Sequence, residues 1–476
     1  MKMLIGNNWL DSDKSFKVID PYVGEVVDNV AISSKEQIKQ ALDASYNYKC
    51  ELSGTERACI LRDAKEILAK DQGELAELMT RESGLCLKDT LHEVERAISC
   101  FESAIIQAEM IDTYDQTKDF IDCKNDSKPK LEVITEPYDL AVAITPFNHP
   151  LNMVAHKIAP AVASGISMVL KPSEKTPLTA LKLGRILVDC GLPENMLNIV
   201  VGIPPKDIVN QLINYPKLDI VSFTGSVRIG KYIARTMAQN GNELKKYLPE
   251  LGGNATFVVL DDADLKKASK VALGAFENSG QRCTAIRKIL LHRAVADEFV
   301  EMFLEEVSKI KYGNPLDSSN NMGTVISSEQ STLLHNRVNK AEKDGAKLLF
   351  GNNINGALIS PTVLDFVHPN MEVAEEESFG PIVSIIRVNN LSEIKNYFKC
   401  DNFGLAASVA TRSEEVARDL FDSILVGQFS WNGRPGYRTE EAPFGGFKDS
   451  GNGEKEGVIM MTRAMRRIKT FYNHND

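Results

Sequence analysis

At 476 residues the chain exceeds what one hydrophobic core serves, and 43% hydrophobic with 25% charged residues places it among globular proteins of two or more packed domains. A formal net charge of -10 argues against a binder of nucleic acid or anionic membranes, though not against a local basic pocket. The longest apolar run, residues 158–170, is broken by Pro160, Ser164, Gly165 and Ser167, and residues 1–10 meet Asn7, Asn8 and then Asp11 too early for a signal peptide, so a cytoplasmic protein is expected.

In chain order, the first stretch of interest is the helical segment Leu91 to Phe101, which carries Glu93, Glu95 and Arg96. The polar, lysine-rich segment Thr117–Lys130, followed by Leu131–Thr135, reads as a hairpin or arm projecting from the first domain. From Asp139 to Val259 short β-branched runs alternate with helical stretches, the pattern of a parallel sheet with crossover helices. Strands are expected at Ala141–Thr145, Ser167–Lys171, Leu197–Val201 and Asp219–Thr224. Helices are expected at Pro150–Ser164, Pro177–Cys190 and Pro205–Asn214, the last two opening with proline in the first turn. This is a dinucleotide-binding type of architecture. A second alternation starts near Asp261, with helix Asp264–Phe276, strand Lys288–His292, helix Ala294–Ile310, strand Val383–Val388 and helix Ser413–Asp422. The fold class is therefore α/β, with two domains.

The eight cysteines show no Cys-x-x-Cys pair and the seven histidines no His-x-x-x-His spacing, so neither a disulfide framework nor a metal site is expected. One cysteine stands apart. Asn278-Ser279-Gly280-Gln281-Arg282-Cys283-Thr284-Ala285 is a small, polar loop after an amphipathic helix, and a neighbouring cation such as Arg282 lowers a thiol pKa toward the reactive thiolate. Taken alone, it equally describes a buried cysteine in a turn. Upstream, Leu248-Pro249-Glu250-Leu251-Gly252-Gly253 sets one carboxylate among apolar residues, where burial raises its pKa toward general-base duty. Ile144-Thr145-Pro146-Phe147-Asn148-His149-Pro150 at a strand end and Glu377-Ser378-Phe379-Gly380-Pro381 complete the set.

With Lys171-Pro172-Ser173-Glu174, Phe223-Thr224-Gly225-Ser226 and Pro443-Phe444-Gly445-Gly446, these segments make the chain resemble the aldehyde dehydrogenase superfamily over nearly its whole length. The resemblance implies a Rossmann-type NAD-binding domain over 1–116 and 137–250 and an α/β catalytic domain over 251–442. It also implies an oligomerisation arm and tail over 117–136 and 443–476, and a homodimer or homotetramer. It implies that Cys283 attacks an aldehyde carbon, that Asn148 and the Cys283 backbone N–H stabilise the oxyanion, and that Glu250 activates water to hydrolyse the resulting thioester, with Lys171 as helper. Thr145, Pro146, Lys171, Ser173, Glu174, Gly225, Ser226, Gly230, Leu251, Gly252, Glu377 and Phe379 are the implied cofactor contacts. Gly225-Ser226-Val227-Arg228-Ile229-Gly230 opens a helix whose N–H groups and dipole favour pyrophosphate. A carboxylate at Glu174 favours NAD over NADP, because it repels a 2′-phosphate.

Three residues go beyond the general pattern, His149, Arg282 and Arg438, with Thr284 beside Cys283, and Arg96 lies where relatives place a fourth substrate-facing residue. Together they suggest a cationic pocket for a small anionic aldehyde. The combination most resembles the phosphonoacetaldehyde dehydrogenases. The non-phosphorylating glyceraldehyde-3-phosphate dehydrogenases share the arginine before the nucleophile but tend to have tyrosine at the His149 position. A CoA-acylating enzyme is disfavoured by Glu250, which such enzymes generally lack. Singly, each cation has a plain alternative: Arg438 pairing with Glu440 or Glu441 at the surface, Arg96 as a solvated helix residue, His149 as packing at a helix start.

Overall fold

The computed structural model describes residues 1–113 and 130–474. Leu140–Ile144 and Ser167–Lys171 are apolar runs without polar alternation, and they form strands buried on both faces, as a parallel sheet between helices requires. They sit in a seven-stranded sheet of order 246–250, 220–224, 140–144, 167–171, 197–199, 3–5, 8–10; the first five strands run parallel, and the N-terminal hairpin is antiparallel at the edge. Sequence-predicted strand ends are off by one or two residues: Leu197–Val201 shortens to Leu197–Ile199, for example. Successive connections run outward in both directions from Leu140–Ile144. That strand therefore marks the topological switch point, where open α/β sheets bind ligands beyond their carboxyl ends.

The crossover helices Asn152–Ser164 and Leu178–Asp189 have no side-chain cap of their own. Buried glutamates from the N-terminal helices fill that role. Glu93 Oε1 accepts the backbone N–H of Leu151 (2.8 Å) and Asn152 (3.0 Å), while Glu82 accepts those of Leu178 (2.8 Å) and Thr179 (3.0 Å). Each carboxylate satisfies orphan donors and meets the positive end of the helix dipole. These contacts dock the helices Gln72–Ser83 and Leu87–Thr113 onto the first sheet.

A second seven-stranded sheet has the order 347–350, 362–365, 382–388, 288–292, 256–259, 406–410, 428–431, parallel except for its first strand. The helix expected over Asp264–Phe276 ends at Ala272 and tightens into a 3-10 turn over Leu273–Ala275. Asn278, Ser279 and Gly280 then adopt left-handed φ angles of 51°, 53° and 67°. This reversal carries Cys283 toward the amino end of strand Lys288–His292. Gly280 is required there twice over: its φ is positive, and a Cβ would lie 2.2 Å from the Gly380 carbonyl oxygen.

Lys130–Pro137 and Arg466–Asn473 form an antiparallel ribbon, so the expected Leu131–Thr135 strand lies in a separate two-stranded element; residues 117–129 of the polar segment lie outside the described residues. Ile134, Ile468, Phe471 and Tyr472 are exposed on the ribbon. The helix Val458–Ala464 just before it behaves differently from an arm: Val458, Met461 and Met465 are buried in the core of the first sheet. Among the described residues no helix is long and apolar enough to cross a membrane, and no group of His, Cys, Asp or Glu is arranged to hold a metal ion. Gly280→Ala is expected to destabilise the fold by about 1–3 kcal/mol through the strained φ alone, more with the clash, read as a lower midpoint in urea unfolding.

Candidate active site

The loops at the carboxyl ends of the first sheet and at the amino ends of the second line one cavity of about 830 Å³. It includes Thr145–His149, Lys171, Ser173 and Glu174, Thr224–Ser226 and Glu250–Gly252 from the first half, and Arg282–Thr284 and Glu377–Phe379 from the second. Arg96, Gly436 and Arg438 line it as well. A neighbouring cavity of about 450 Å³ shares Arg96, Arg282, Thr284, Gly436 and Arg438, which places these residues at the end away from the Ser226 loop. The structure thus brings the expected site residues to one crevice, apart from Gly230, which does not line it.

Glycines allow the close approach. A Cβ on Gly253 would stand 2.2 Å from the Cys283 carbonyl oxygen, and one on Gly252 would stand 2.1 Å from Glu377 Oε2. Arg287, which the sequence does not flag, is buried and clamps the Cys283 loop. Its guanidinium donates to the carbonyls of Gly280, Arg282 (3.2 Å) and Gly380 (2.5 Å). Asn148 Nδ2 donates to the Gln281 carbonyl at 2.8 Å, fixing the amide beside the Cys283 backbone. Phe379, at φ 46°, packs edge-on against Phe147 with ring centroids 5.7 Å apart.

Burial dominates the electrostatics. It pushes the Cys283 thiol up to about 11, helped by Glu377, while Arg438 and then Arg282 oppose it. Arg282 favours the thiolate as expected, but its Nη1 is engaged by Glu277 at 3.1 Å, Arg438 acts more strongly, and neither overcomes desolvation. Glu250, 4% exposed, is raised to about 8 by burial against the pull of Lys157, Arg438 and Lys455. Its Oε2 has no hydrogen-bond partner among the described residues, and a Cβ on Gly445 would lie 2.4 Å from Oε1. Glu377 is raised to about 7 by burial, with Arg287 and the Gly253 N–H opposing. Lys171 donates to Glu174 Oε2 and to the Pro172 carbonyl, both at 3.1 Å.

His149 is corrected. Burial lowers its pKa below 6.5, so near neutral pH the ring is uncharged, with Nδ1 3.1 Å from Glu93 Oε2. The expected four cations become three arginines, each with a buried or half-buried acidic neighbour. Arg96 is no solvated helix residue, since its Nε donates to Glu440 Oε1 at 2.6 Å. Arg438 does face Glu440, at 3.9 Å, but inside the protein, where it also stacks on Phe444 at 4.1 Å. Glu277, His156, Lys157 and Glu456 went unnoticed in the sequence, and Glu93 and Glu440 stood there only as neighbours of the arginines. Lys157 offered a signal, being the lone Lys, Arg, Asp or Glu in the helix Asn152–Ser164; it is buried and paired with Glu456.

The same crevice fits a nicotinamide dinucleotide. The helix Val227–Gln239 opens on the cavity with no side-chain cap, and a Cβ on Gly230 would press into Leu251 at 2.3 Å. Thr145 Oγ1 is buried beside it without a partner among the described residues.

Comparison with known proteins agrees with this geometry. The aldehyde dehydrogenase family model matches residues 9–471, and the chain belongs to that family. It is 35% identical to a lactaldehyde dehydrogenase of Methanococcus aeolicus, covering 98% of this chain and 99% of that one. It is 31% identical to a 3-sulfolactaldehyde dehydrogenase of Priestia aryabhattai, covering 96% and 94%. Among solved structures, an NADP-dependent glyceraldehyde-3-phosphate dehydrogenase from Bacillus halodurans complexed with NADP superposes with a TM-score of 0.91 at 29% identity, covering 99% and 98%. The protein is an α/β oxidoreductase of the aldehyde dehydrogenase class.

A base role for Glu250 would require loss of its proton, so activity limited by that step is expected to rise with pH until about 8 and then level. Glu250→Gln is expected to remove that rise and cut turnover by roughly a hundredfold or more, checked by steady-state pH profiles.

Proposed function

We propose that the protein is an NAD-dependent, hydrolytic aldehyde dehydrogenase for a small aldehyde with an anionic head group, phosphonoacetaldehyde first among the candidates. The observation that carries this reading is the convergence of Arg96, Arg282 and Arg438 on the part of the cavity beyond Cys283. Guanidinium groups in a desolvated pocket suit a tetrahedral oxyanion better than any uncharged aldehyde. One of the similar proteins, the sulfolactaldehyde enzyme, is named for an anionic aldehyde.

In this reading the Cys283 sulfur, once deprotonated, adds to the carbonyl carbon. The Asn148 amide, held by the Gln281 carbonyl, and the Cys283 backbone N–H face the oxygen as it gains charge. Gly225, Gly230, Ser226 and Glu377 would hold the dinucleotide, with Glu174 near its adenosine ribose; when bound, the dinucleotide supplies the hydride acceptor. The acyl group is then released from Cys283 by water, whose proton goes to Glu250 through the unpartnered Oε2. Hydrolysis by Glu250 is the reason to favour a free acid over a CoA thioester as product. The carboxylate of Glu174, anchored by Lys171, disfavours a 2′-phosphate and so favours NAD.

Reduced cofactor formation with phosphonoacetaldehyde, glyceraldehyde-3-phosphate, succinic semialdehyde and propionaldehyde, each with NAD and NADP and with or without CoA, tests the assignment. The highest kcat/KM is expected for phosphonoacetaldehyde with NAD, independent of CoA. Arg438→Ala is expected to raise KM for that aldehyde by about tenfold or more, well beyond its effect on propionaldehyde. Equal effects on both would remove the anion pocket from the reading.

The exposed apolar side chains of the ribbon Lys130–Pro137 with Arg466–Asn473 support a homodimer or a dimer of dimers built through this arm. Sedimentation at micromolar concentration is expected to show no monomer.

A further inference from the structure

We infer that Glu440 is a positioning residue for the anion end of the site, gripping Arg96 and Arg438 from behind so that their outer N–H groups are left for the substrate. The inference rests on the anionic-substrate reading above and assigns the geometry of that pocket to a side chain that does not itself touch the substrate.

Glu440 is 5% exposed and sits where three basic side chains meet. Its Oε1 accepts from Arg96 Nε at 2.6 Å, the inner edge of that guanidinium. Its Oε2 meets His156 Nε2 and lies 3.9 Å from Arg438 Nη2. Through Nε alone, Arg96 is held while both terminal amino groups remain directed elsewhere, and Arg96 lines both the cavity holding Cys283 and the adjoining one. Arg438 shows the complementary pattern. Its Nη2 faces Glu440, its plane lies on the Phe444 ring, and its Nη1 is buried without a partner among the described residues. A buried, unpaired guanidinium N–H is costly unless something is meant to accept it, and a substrate oxyanion is the acceptor the cavity admits.

The carboxylate also answers a problem of charge. Arg96 and Arg438 repel each other across the pocket, and burial together with that repulsion pushes Arg438 down to about 10. A shared anion between them lets both stay protonated and close. His156, with burial holding its pKa down to about 4, and the two arginines keep Glu440 well below the usual carboxylate range, so it remains charged throughout the working pH range. Arg282 does not share this anion; it is held by Glu277.

The test compares Glu440→Gln and Glu440→Ala with the wild type on phosphonoacetaldehyde and propionaldehyde, with unfolding midpoints and NADH binding recorded for each. Glu440→Ala is expected to lower the kcat/KM preference for the anionic aldehyde by about tenfold, with the loss in KM. Glu440→Gln, which can still accept from Arg96 Nε, is expected to retain part of it. In an Arg96→Ala background, Glu440→Gln is expected to add little further loss, as coupled residues do. Equal loss on both aldehydes, a loss confined to kcat, or full additivity with Arg96→Ala overturns the inference. If Arg438→Ala abolishes the preference while the Glu440 variants keep it, the anion pocket stands and Glu440 is not its organiser. If the wild type shows no preference, the anionic-substrate reading fails and takes this inference with it. Should Glu440→Ala not fold, Glu440→Gln and the double variant carry the same decision.

Discussion

Desolvation of charge is the constraint on which the rest of this structure depends. The crevice forms where the carboxyl ends of one parallel sheet meet the amino ends of another, and almost every ionisable group the chemistry needs is taken out of water there. A thiol and two carboxylates respond by moving their pKa values upward, so that Cys283 rests as the thiol and Glu250 titrates at about 8. The arginines cannot neutralise themselves in this way, so each is given an acid: Glu440 for Arg96 and Arg438, Glu277 for Arg282. The pocket is thus less positive than its arginine count suggests. Its arginines present oriented donors more than net positive charge.

The same economy shapes the scaffold. Glu93 is a helix cap, a partner for His149 and a link between the N-terminal helices and the first sheet, all through two oxygens. Arg287 holds three loop carbonyls around Cys283 and stands over the Phe379 ring at 5.9 Å. Such buried polar groups fix one geometry, because any displacement strands a charge or a carbonyl without a partner.

Much of this was legible in the residues themselves. The apolar runs Leu140–Ile144 and Ser167–Lys171 announce a doubly covered parallel sheet, and the double glycine after Glu250 marks a close approach that the Cys283 carbonyl in fact occupies. The partnerships among charges were not legible. Glu93 and His149 are 56 positions apart, and Arg96 and Glu440 are 344 apart, so no local pattern connects them. His149 was misjudged as a cation because protonation follows burial, which a sequence window does not report. The helix ending early at Ala272 escaped notice for a similar reason: the three left-handed residues after it answer to the tertiary position of Cys283, Asn278 and Gly280 with their propensities and Ser279 against its own.

The helix Val458–Ala464 and the residues before it give the polypeptide an unusual order of assembly. Lys157, at the heart of the first half, finds its counter-ion in Glu456, 299 positions further along, and the same late segment supplies Val458, Met461 and Met465 to the core around it. As the chain emerges from the ribosome, the first half has its sheet complete long before its last wall of core arrives. A fragment ending at residue 250 would carry an open apolar face and would leave Lys157 without Glu456. The two halves have separate sheets, yet the first, cut at that boundary, would lack part of its own core.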